Sequence, residues 1–372
     1  VPAFEYIDTR RELKEVLRER MVESYDSIAE NQELDDGQTY LKSYLIESNR
    51  DAFTEGQVSL GDQQLYISDT QERGFVRASA QTDDGRVYFF IDKLNDRFWS
   101  IHTIAKATVS DKIIKRIIFP RFTELDYPWL SNGFLEDVGK QPEATFRAFS
   151  VKFEDEFHDI MDNKGGVEGL SMRLWGNSAD EVLDTLRTNE NISGSTSLSN
   201  VGIKKEYGER VLLSDITYQS KFTARGESVE GHFSQVRDVM DKYYNILDKV
   251  ENEYSMYTEQ RGSGTHIDGH PLLIDFNRRI ENLREFVDEL FSSTNPFRLW
   301  GVVDEMEEDY YTIAGVDMHT GDKIDFEVCP DWMRIYLPKG SCGNVVLRLY
   351  TNIQHYYDSK STLEGEDSEQ LI

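Results

Sequence analysis

Apolar residues recur at spacings of three and four between Asp8 and Ala29, at Leu13, Val16, Leu17, Met21 and Tyr25, behind a capping Thr9. That period predicts an amphipathic helix whose stripe needs a partner. After an acidic turn at Asp35, Asp36 and Gly37, a second helix is expected from Thr39 to Glu47. The pattern then changes to alternation: Gly74 to Ala80, Arg86 to Leu94 and Arg97 to Ile104 read as a three-stranded meander with a hairpin turn at Asp84 and Gly85. Arg97 and His102 stand five apart on such a strand, so they point to opposite faces and form no pair.

Ser110 is expected to cap a short basic helix that runs to Phe119 and stops at Pro120. From Thr145 the order becomes strand, strand, helix, strand, strand, long helix. The spans are Thr145 to Phe153, Leu170 to Trp175, Ala179 to Thr188, Ser195 to Lys205, Val211 to Arg225, and Val229 to Tyr254. Gln260 to Gly269 is rich in Gly, Ser and Thr and reads as a linker. Beyond it a helix is expected over Phe276 to Phe291, then β-structure over Phe297 to Leu337 with a hairpin at His319 to Asp322, then a helix over Asn344 to Tyr357.

These elements define an α+β chain. A helical and β-meander N-terminal region (1–142) precedes a central α+β sandwich with a mainly antiparallel sheet (143–261). A C-terminal β-rich module closed by a helix (262–358) and a disordered acidic tail (359–372) complete the expected division. One tetrapeptide repeats, Arg173-Leu174-Trp175-Gly176 and Arg298-Leu299-Trp300-Gly301, and its two copies read as buried strand ends.

Composition supports a folded chain. Hydrophobic residues form 38% of it and charged residues 30%, and 20 Phe with 19 Tyr exceed what a disordered chain of this charge carries. Two cysteines, Cys329 and Cys342, are too few to staple 372 residues, which favours a reducing cytoplasm. Val1 to Arg20 has no apolar run of signal-peptide length and no later run reaches membrane-spanning length, so neither secretion nor a membrane is expected.

Charge alters this picture most. With 41 Lys and Arg against 69 Asp and Glu, the chain carries -28 and repels nucleic acid and anionic lipid at long range. A basic or multi-subunit protein partner suits such a surface. Yet Ile101 to Glu230 holds 16 basic against 21 acidic residues, so the acidity is concentrated in the flanks. Lys106, Lys112, Lys115, Arg116 and Arg121 form one basic island, with Lys112, Lys115 and Arg116 on one helical face. Lys204, Lys205, Lys221 and Arg225 form a second, accompanied by Ser195, Thr196, Ser197, Ser199 and Thr223, with Tyr218 and Phe222 for stacking. Cations, hydroxyls and aromatics of this kind hold single-stranded nucleic acid.

Two other stretches carry candidate chemistry. In the loop from Pro338 to Asn344, Gly340 and Gly343 let amides approach an anion, and Lys339, Ser341 and the N-terminus of the following helix serve the same point. Cys342 in that loop is a candidate nucleophile, with His319 or His355 as base, toward a phosphorylated or acyl substrate. His266, Asp268 and His270 alternate as potential metal ligands but lack a fourth. Nucleotide-binding, hydrolase-elbow and zinc-protease motifs are absent from the sequence, and no cofactor is expected. The leading expectation is a non-catalytic cytoplasmic binding protein for an anionic ligand, nucleic acid above all. An enzyme at 338–344 and a structural subunit of an assembly are the alternatives.

Overall fold

The computed structural model describes residues 4–31, 40–48, 53–60, 63–83, 85–119, 123–158, 167–262, 264–365 and 369–372, with main chain alone for 22–31. The turn at 35–37, Asp84, Pro120 and Arg121 lie outside the described residues, as does the side chain of Tyr25. The fold is α+β with mainly antiparallel sheets and a C-terminal β-rich module. Two compact units divide it, neither continuous in sequence and neither bounded at 142 or 261. Unit one comprises Val1–Pro128, Gly139–Phe146 and Gly202–Asp241, and unit two comprises Trp129–Val138, Arg147–Val201 and Lys242–Ile372.

In unit one, α1 (Arg10–Asn31) begins at a capping box: Glu12 N–H donates to Thr9 Oγ1 at 3.2 Å, and the Glu12 carboxylate accepts from Thr9 N–H at 3.1 Å. Its stripe of Leu13, Val16, Leu17 and Met21 packs with Leu41, Phe75, Phe90, Leu212 and Ala224. Leu41, Phe75 and Phe90 come from the first part of a sheet, built of β1 (Leu41–Ser48), β2 (Gly56–Leu60), β3 (Gln63–Asp69), β4 (Phe75–Thr82), β5 (Gly85–Lys93), β6 (Phe98–Thr103) and β7 (Leu125–Asp126), and Leu212 and Ala224 from later strands of the same sheet. Between β6 and β7 lies α2 (Ala107–Ile118).

The Thr39 to Glu47 helix is corrected to β1. Leu41, Tyr44 and Leu45 mimic a helical stripe, but every residue of β1 is buried between two antiparallel neighbours, and such central strands lose the alternation that identifies a strand. Ser110 does not cap α2, which starts three residues earlier. It is buried inside the helix, where its Oγ lies 2.7 Å from the Tyr44 hydroxyl.

The chain continues through α3 (Asn132–Gly139), β8 (Ala144–Glu154), β9 (Gly169–Trp175), α4 (Ala179–Thr188) and β10 (Leu198–Tyr207). The single strand expected over Val211 to Arg225 is two, β11 (Arg210–Thr217) and β12 (Lys221–Gly226). A tight turn separates them, where Ser220 takes φ 52° and donates N–H to the Thr217 carbonyl. In unit one the strand order is β2-β3-β4-β5-β6-β1-β12-β11-β10, with β7 also beside β1. The long helix α5 (Val229–Asn252) belongs partly to each unit.

Unit two contains a second sheet. The expected linker at Gln260 to Gly269 is instead a hairpin of β13 (Tyr257–Arg261) and β14 (Gly264–Asp268), closed by positive-φ Gly262. It is followed by β15 (Leu272–Asp275) and by α6 (Leu283–Leu290), half the length its apolar residues suggest. Then come β16 (Leu299–Glu307), β17 (Tyr310–Asp317), β18 (Lys323–Cys329), β19 (Trp332–Tyr336), α7 (Asn344–Tyr356) and β20 (Thr362–Glu364). The order β16-β17-β18-β19-β15-β20 is antiparallel throughout, and β20 overturns the reading of everything after Ser359 as disordered.

One face of this sheet buries Ile313, Ile324, Phe326, Val328, Met333 and Ile335. Phe291 meets Phe326 edge-on at 4.9 Å, and Phe157, Phe286 and Tyr357 form an aromatic cluster with centroids 4.5 to 5.5 Å apart. Helix α7 is buried along twelve consecutive residues from Asn344 to His355 although six of them are polar. Each polar side chain has a bond. Arg348 pairs with Asp317 and donates to the Phe297 carbonyl at 3.1 Å, and Gln354 accepts from Asn132 N–H at 2.9 Å. Asn352 donates to the Arg348 carbonyl, Thr351 to the Trp129 carbonyl, and Asn344 accepts from Tyr243. His355 Nδ1 lies 3.1 Å from the Lys152 carbonyl. Among the described residues no helix is long and apolar enough to cross a membrane.

Candidate functional site

Helix α2 presents the faces its sequence predicts. Ile113, Ile114, Ile117 and Ile118 are buried, and Lys112 and Lys115 are exposed. Arg116 is half-buried and donates to Gln63 at 3.0 Å. The two basic islands do meet in unit one, but a carboxylate stands between them: Lys221 Nζ on β12 donates to Asp111 of α2 at 2.7 Å and lies over the Tyr44 ring. Tyr44 also donates to Asp111, at 2.6 Å, and burial together with that carboxylate pushes its phenol pKa up. Beside them Lys42 is buried, donating to the carbonyls of Tyr40 at 2.9 Å and Ala105 at 2.7 Å. Burial, and then Lys221, push Lys42 down to about 8 against the pull of Asp111.

The other cations are occupied. Arg225 pairs with Asp215 at 2.9 Å, Lys204 with Glu206 at 2.8 Å, and Lys205 is buried against Gln141 at 2.7 Å. Thr223 shares the half-buried face of β12 with Lys221 and Arg225, but other accompanying hydroxyls are engaged within the fold. Thr196 donates to the Ile192 carbonyl, Ser197 lies 3.0 Å from His355 Nδ1, and Ser199 donates to the Ser150 carbonyl. Phe222 is fully buried and offers no face for a base. Of the seven cations, Lys112 and Lys115 are the pair that remains exposed with no ion pair among the described residues.

The 338–344 loop has the glycine backbone its sequence implies, with Gly340 at φ 90°, but carboxylates stand where an anion would sit. Cys342 N–H donates to Asp322 at 3.1 Å and Gly343 N–H to Glu251 at 2.6 Å, so both amides of the expected cradle are taken. Lys339 turns away, its Nζ 4.3 Å from the centroid of Tyr257, and Ser341 is nearly buried. Cys342 is half-buried, and its candidate base His355 points Nδ1 at Ser197 and Lys152. His319 is buried, with its main-chain N–H on Asp317.

His266 and Asp268 stand on exposed β14 and His270 follows it. Asp268 accepts from Arg261 at 2.7 Å, and among the described residues no group of three or more His, Cys, Asp or Glu is placed to hold a metal. Arg97 and His102 form no pair, as expected, but by a different route: Arg97 precedes β6 and reaches Glu47 at 2.5 Å, and His102 enters a buried chain.

That chain was not foreseen. Ser43 Oγ lies 2.6 Å from both His102 Nδ1 and His232 Nε2, and Ser100 Oγ lies 2.8 Å from His102 Nε2. With one hydroxyl proton, Ser43 donates to one ring and accepts from the other. Burial, then the charges of Lys14 and Arg10, push His102 down to about 3; burial and His102 do the same to His232. Both rings are neutral at pH 7.

The repeated tetrapeptide also requires correction. Its tryptophans are not buried: Trp175 is 75% exposed at the end of β9, and Trp300 is 49% exposed at the start of β16. On β16, Trp300 and Val302 project to the outer face of the sheet, with Val302 54% exposed. Their cross-strand partners on β17 are Val316 and Ala314, flanked by Lys323 and Asp325 on β18. Antiparallel sheets with one solvated face normally put polar side chains there. The signal in sequence is the failure of alternation in Leu299-Trp300-Gly301-Val302-Val303, where both faces are apolar.

A family model described as MJECL33-like protein matches residues 2–372 of the chain. A protein of Methanocaldococcus jannaschii, described as "Uncharacterized protein MJECL33", is 33% identical over 398 residues, covering 97% of this chain and 95% of the relative.

Proposed function

The chain belongs to the MJECL33-like protein family, and from that premise we propose that it is a non-catalytic binding subunit that holds a protein partner on the outer face of its C-terminal sheet. One observation carries this reading: the exposed apolar block of Trp300, Val302, Ala314 and Val316 on the sheet face opposite the core. A contiguous apolar patch centred on tryptophan is the surface type that partners bury and from which they draw most affinity. The acidity of the chain favours a partner of opposite charge.

The test is hydrogen exchange on the tagged chain recovered with its partner from the cells that make it. Slower exchange at residues 299–317 than in the isolated chain is expected. A recovered complex with unchanged exchange there, or a chain that is monomeric and partnerless in its own cells, overturns the reading.

A second reading, an anionic ligand such as nucleic acid, is favoured by the exposed pair Lys112 and Lys115 on α2. Two cations supply a small electrostatic contribution against a charge of -28. Weak binding of a short RNA at about 50 mM salt that vanishes by about 200 mM is expected, because released counterions drive it. It should be lost in Lys112→Glu/Lys115→Glu, and equal binding by that variant counts against α2 as the site.

A further inference from the structure

We infer that β16 accepts a basic extended segment of the partner as an added strand, an inference that rests on the protein-binding reading above. The edge geometry supports it. Strand β16 ends the sheet, and Ser293 N–H donates to the Leu299 carbonyl at 2.8 Å from the side away from β17, with Ser292 bridged antiparallel to Trp300. The chain thus already lays one bridged residue, Ser292, against this edge, and Ser293, at φ 67°, turns it away.

In an antiparallel ladder both main-chain groups of a residue point to one side, and alternate residues share that side. With Leu299 facing the free edge, so do Gly301, Val303 and Glu305. The Ser292–Trp300 bridge sets Gly301 opposite Phe291, whereas Val303 and Glu305 make no main-chain bond toward that edge among the described residues. The regular edge ends where the register with β17 slips between Glu305 and Glu307. Beyond Phe291 the main-chain donors and acceptors of Val303 and Glu305 therefore extend the edge that Ser292 and Ser293 already pair, which is the arrangement that strand addition uses.

Side chains define the chemistry of the occupant. On the outer face an added strand would lie beside Trp300 and Val302, which calls for apolar residues at alternate positions. Toward its other end it would meet Asp304, Glu305, Glu307, Glu308 and Asp309, with Met306 59% exposed among them. Asp304, Glu307 and Glu308 enter no ion pair among the described residues, and Asp309 reaches Arg279 only at 4.0 Å. Lysine or arginine on the incoming strand would complement them. Edge strands are also protected by charge against indiscriminate pairing, and here the acids would reject neutral and acidic strands while admitting basic ones.

The experiment titrates the full chain with a short fluorescent peptide alternating lysine and valine. Three comparison probes are glutamate–valine, lysine–serine, and the lysine–valine peptide N-methylated at alternate residues. Saturable binding of lysine–valine alone is expected, weaker by at least about tenfold after N-methylation, since that removes main-chain donors without touching charge or apolar content. Asp304→Lys/Glu307→Lys should weaken the lysine–valine peptide and admit glutamate–valine, and Trp300→Ser/Val302→Ser should weaken it by a similar factor. Equal binding of the N-methylated peptide, or no binding of lysine–valine, overturns strand addition. If the cellular complex still protects 299–317 in that event, the outer face holds a folded partner instead and the broader reading stands.

Discussion

Replacing Arg348 by alanine should destabilise unit two by about 3–5 kcal/mol, the cost typical of leaving a buried charge without its partner. Arg348 and Asp317 are both fully buried. Burial works against the Asp317 charge, but the Arg348 guanidinium and the His319 N–H more than offset it, holding the carboxyl below its usual range. Removing the guanidinium leaves that carboxylate in the core with the weaker donors His319 and Thr320. Its stabilisation is present above the unfolded aspartate range, near pH 4, and is lost as pH falls through the lower folded value.

Urea denaturation of the alanine variant and of Arg348→Met/Asp317→Leu separates the two effects. The double variant should lose less than the single, because shape-matched apolar residues often replace a buried pair at little cost. A loss below about 1 kcal/mol in Arg348→Ala would mean that water reaches the pair.

The second large effect is acid sensitivity. His102 and His232 are held neutral at pKa values of about 3, and burial pushes His355 down to about 4 despite its bond to the Lys152 carbonyl. An unfolded histidine takes up its proton near pH 6.5, so below that the unfolded state binds more protons and stability falls with pH. Each histidine contributes a slope of about 1.4 kcal/mol per pH unit until its folded value is reached. At pH 5 the pair in unit one should have cost about 4 kcal/mol.

Carboxyls with raised values oppose this slope, among them Asp358, pushed up by its burial, and Glu156, pushed up by partial desolvation and by neighbouring Glu289 and Glu154. Denaturation midpoints from pH 7.5 to 4.5 should fall steeply, and His232→Gln should remove about one proton from the slope. Imidazole NMR signals assigned to His102 or His232 that titrate near pH 6.5 in the native chain would contradict the neutral chain through Ser43.

The sequence was most legible where a period ran long. Helices α1, α5 and α7, the β4-β5-β6 meander and the β17-β18 hairpin all stand where pattern and turn residues put them. Legibility failed where distant partners decide. Strand β1 imitates a helix until β6 and β12 flank it, and β13 and β14 form a ribbon from residues whose Gly, Ser and Thr content reads as linker. The same distance hid the fate of the charges: Lys221 and Asp111 lie 110 residues apart, and Arg348 and Asp317 lie 31 apart, yet each pair neutralises itself. Counting cations located two islands in one unit but gave no sign that carboxylates already hold most of them. The exposure of Trp300 was hidden by habit of composition, since tryptophan beside leucine ordinarily means a core.

The position of β1 bears on how fast the molecule can form. Its residues lie near the beginning of the numbering, yet Ser220 bonds the Leu45 carbonyl across 175 residues, and the β12 pairing depends on the same closure. Bringing such distant segments together is entropically unfavourable before any contact rewards it. Unit one therefore belongs with slow, non-local folders. Until β12 arrives, β1, every residue of which is buried in the finished fold, waits as an open edge.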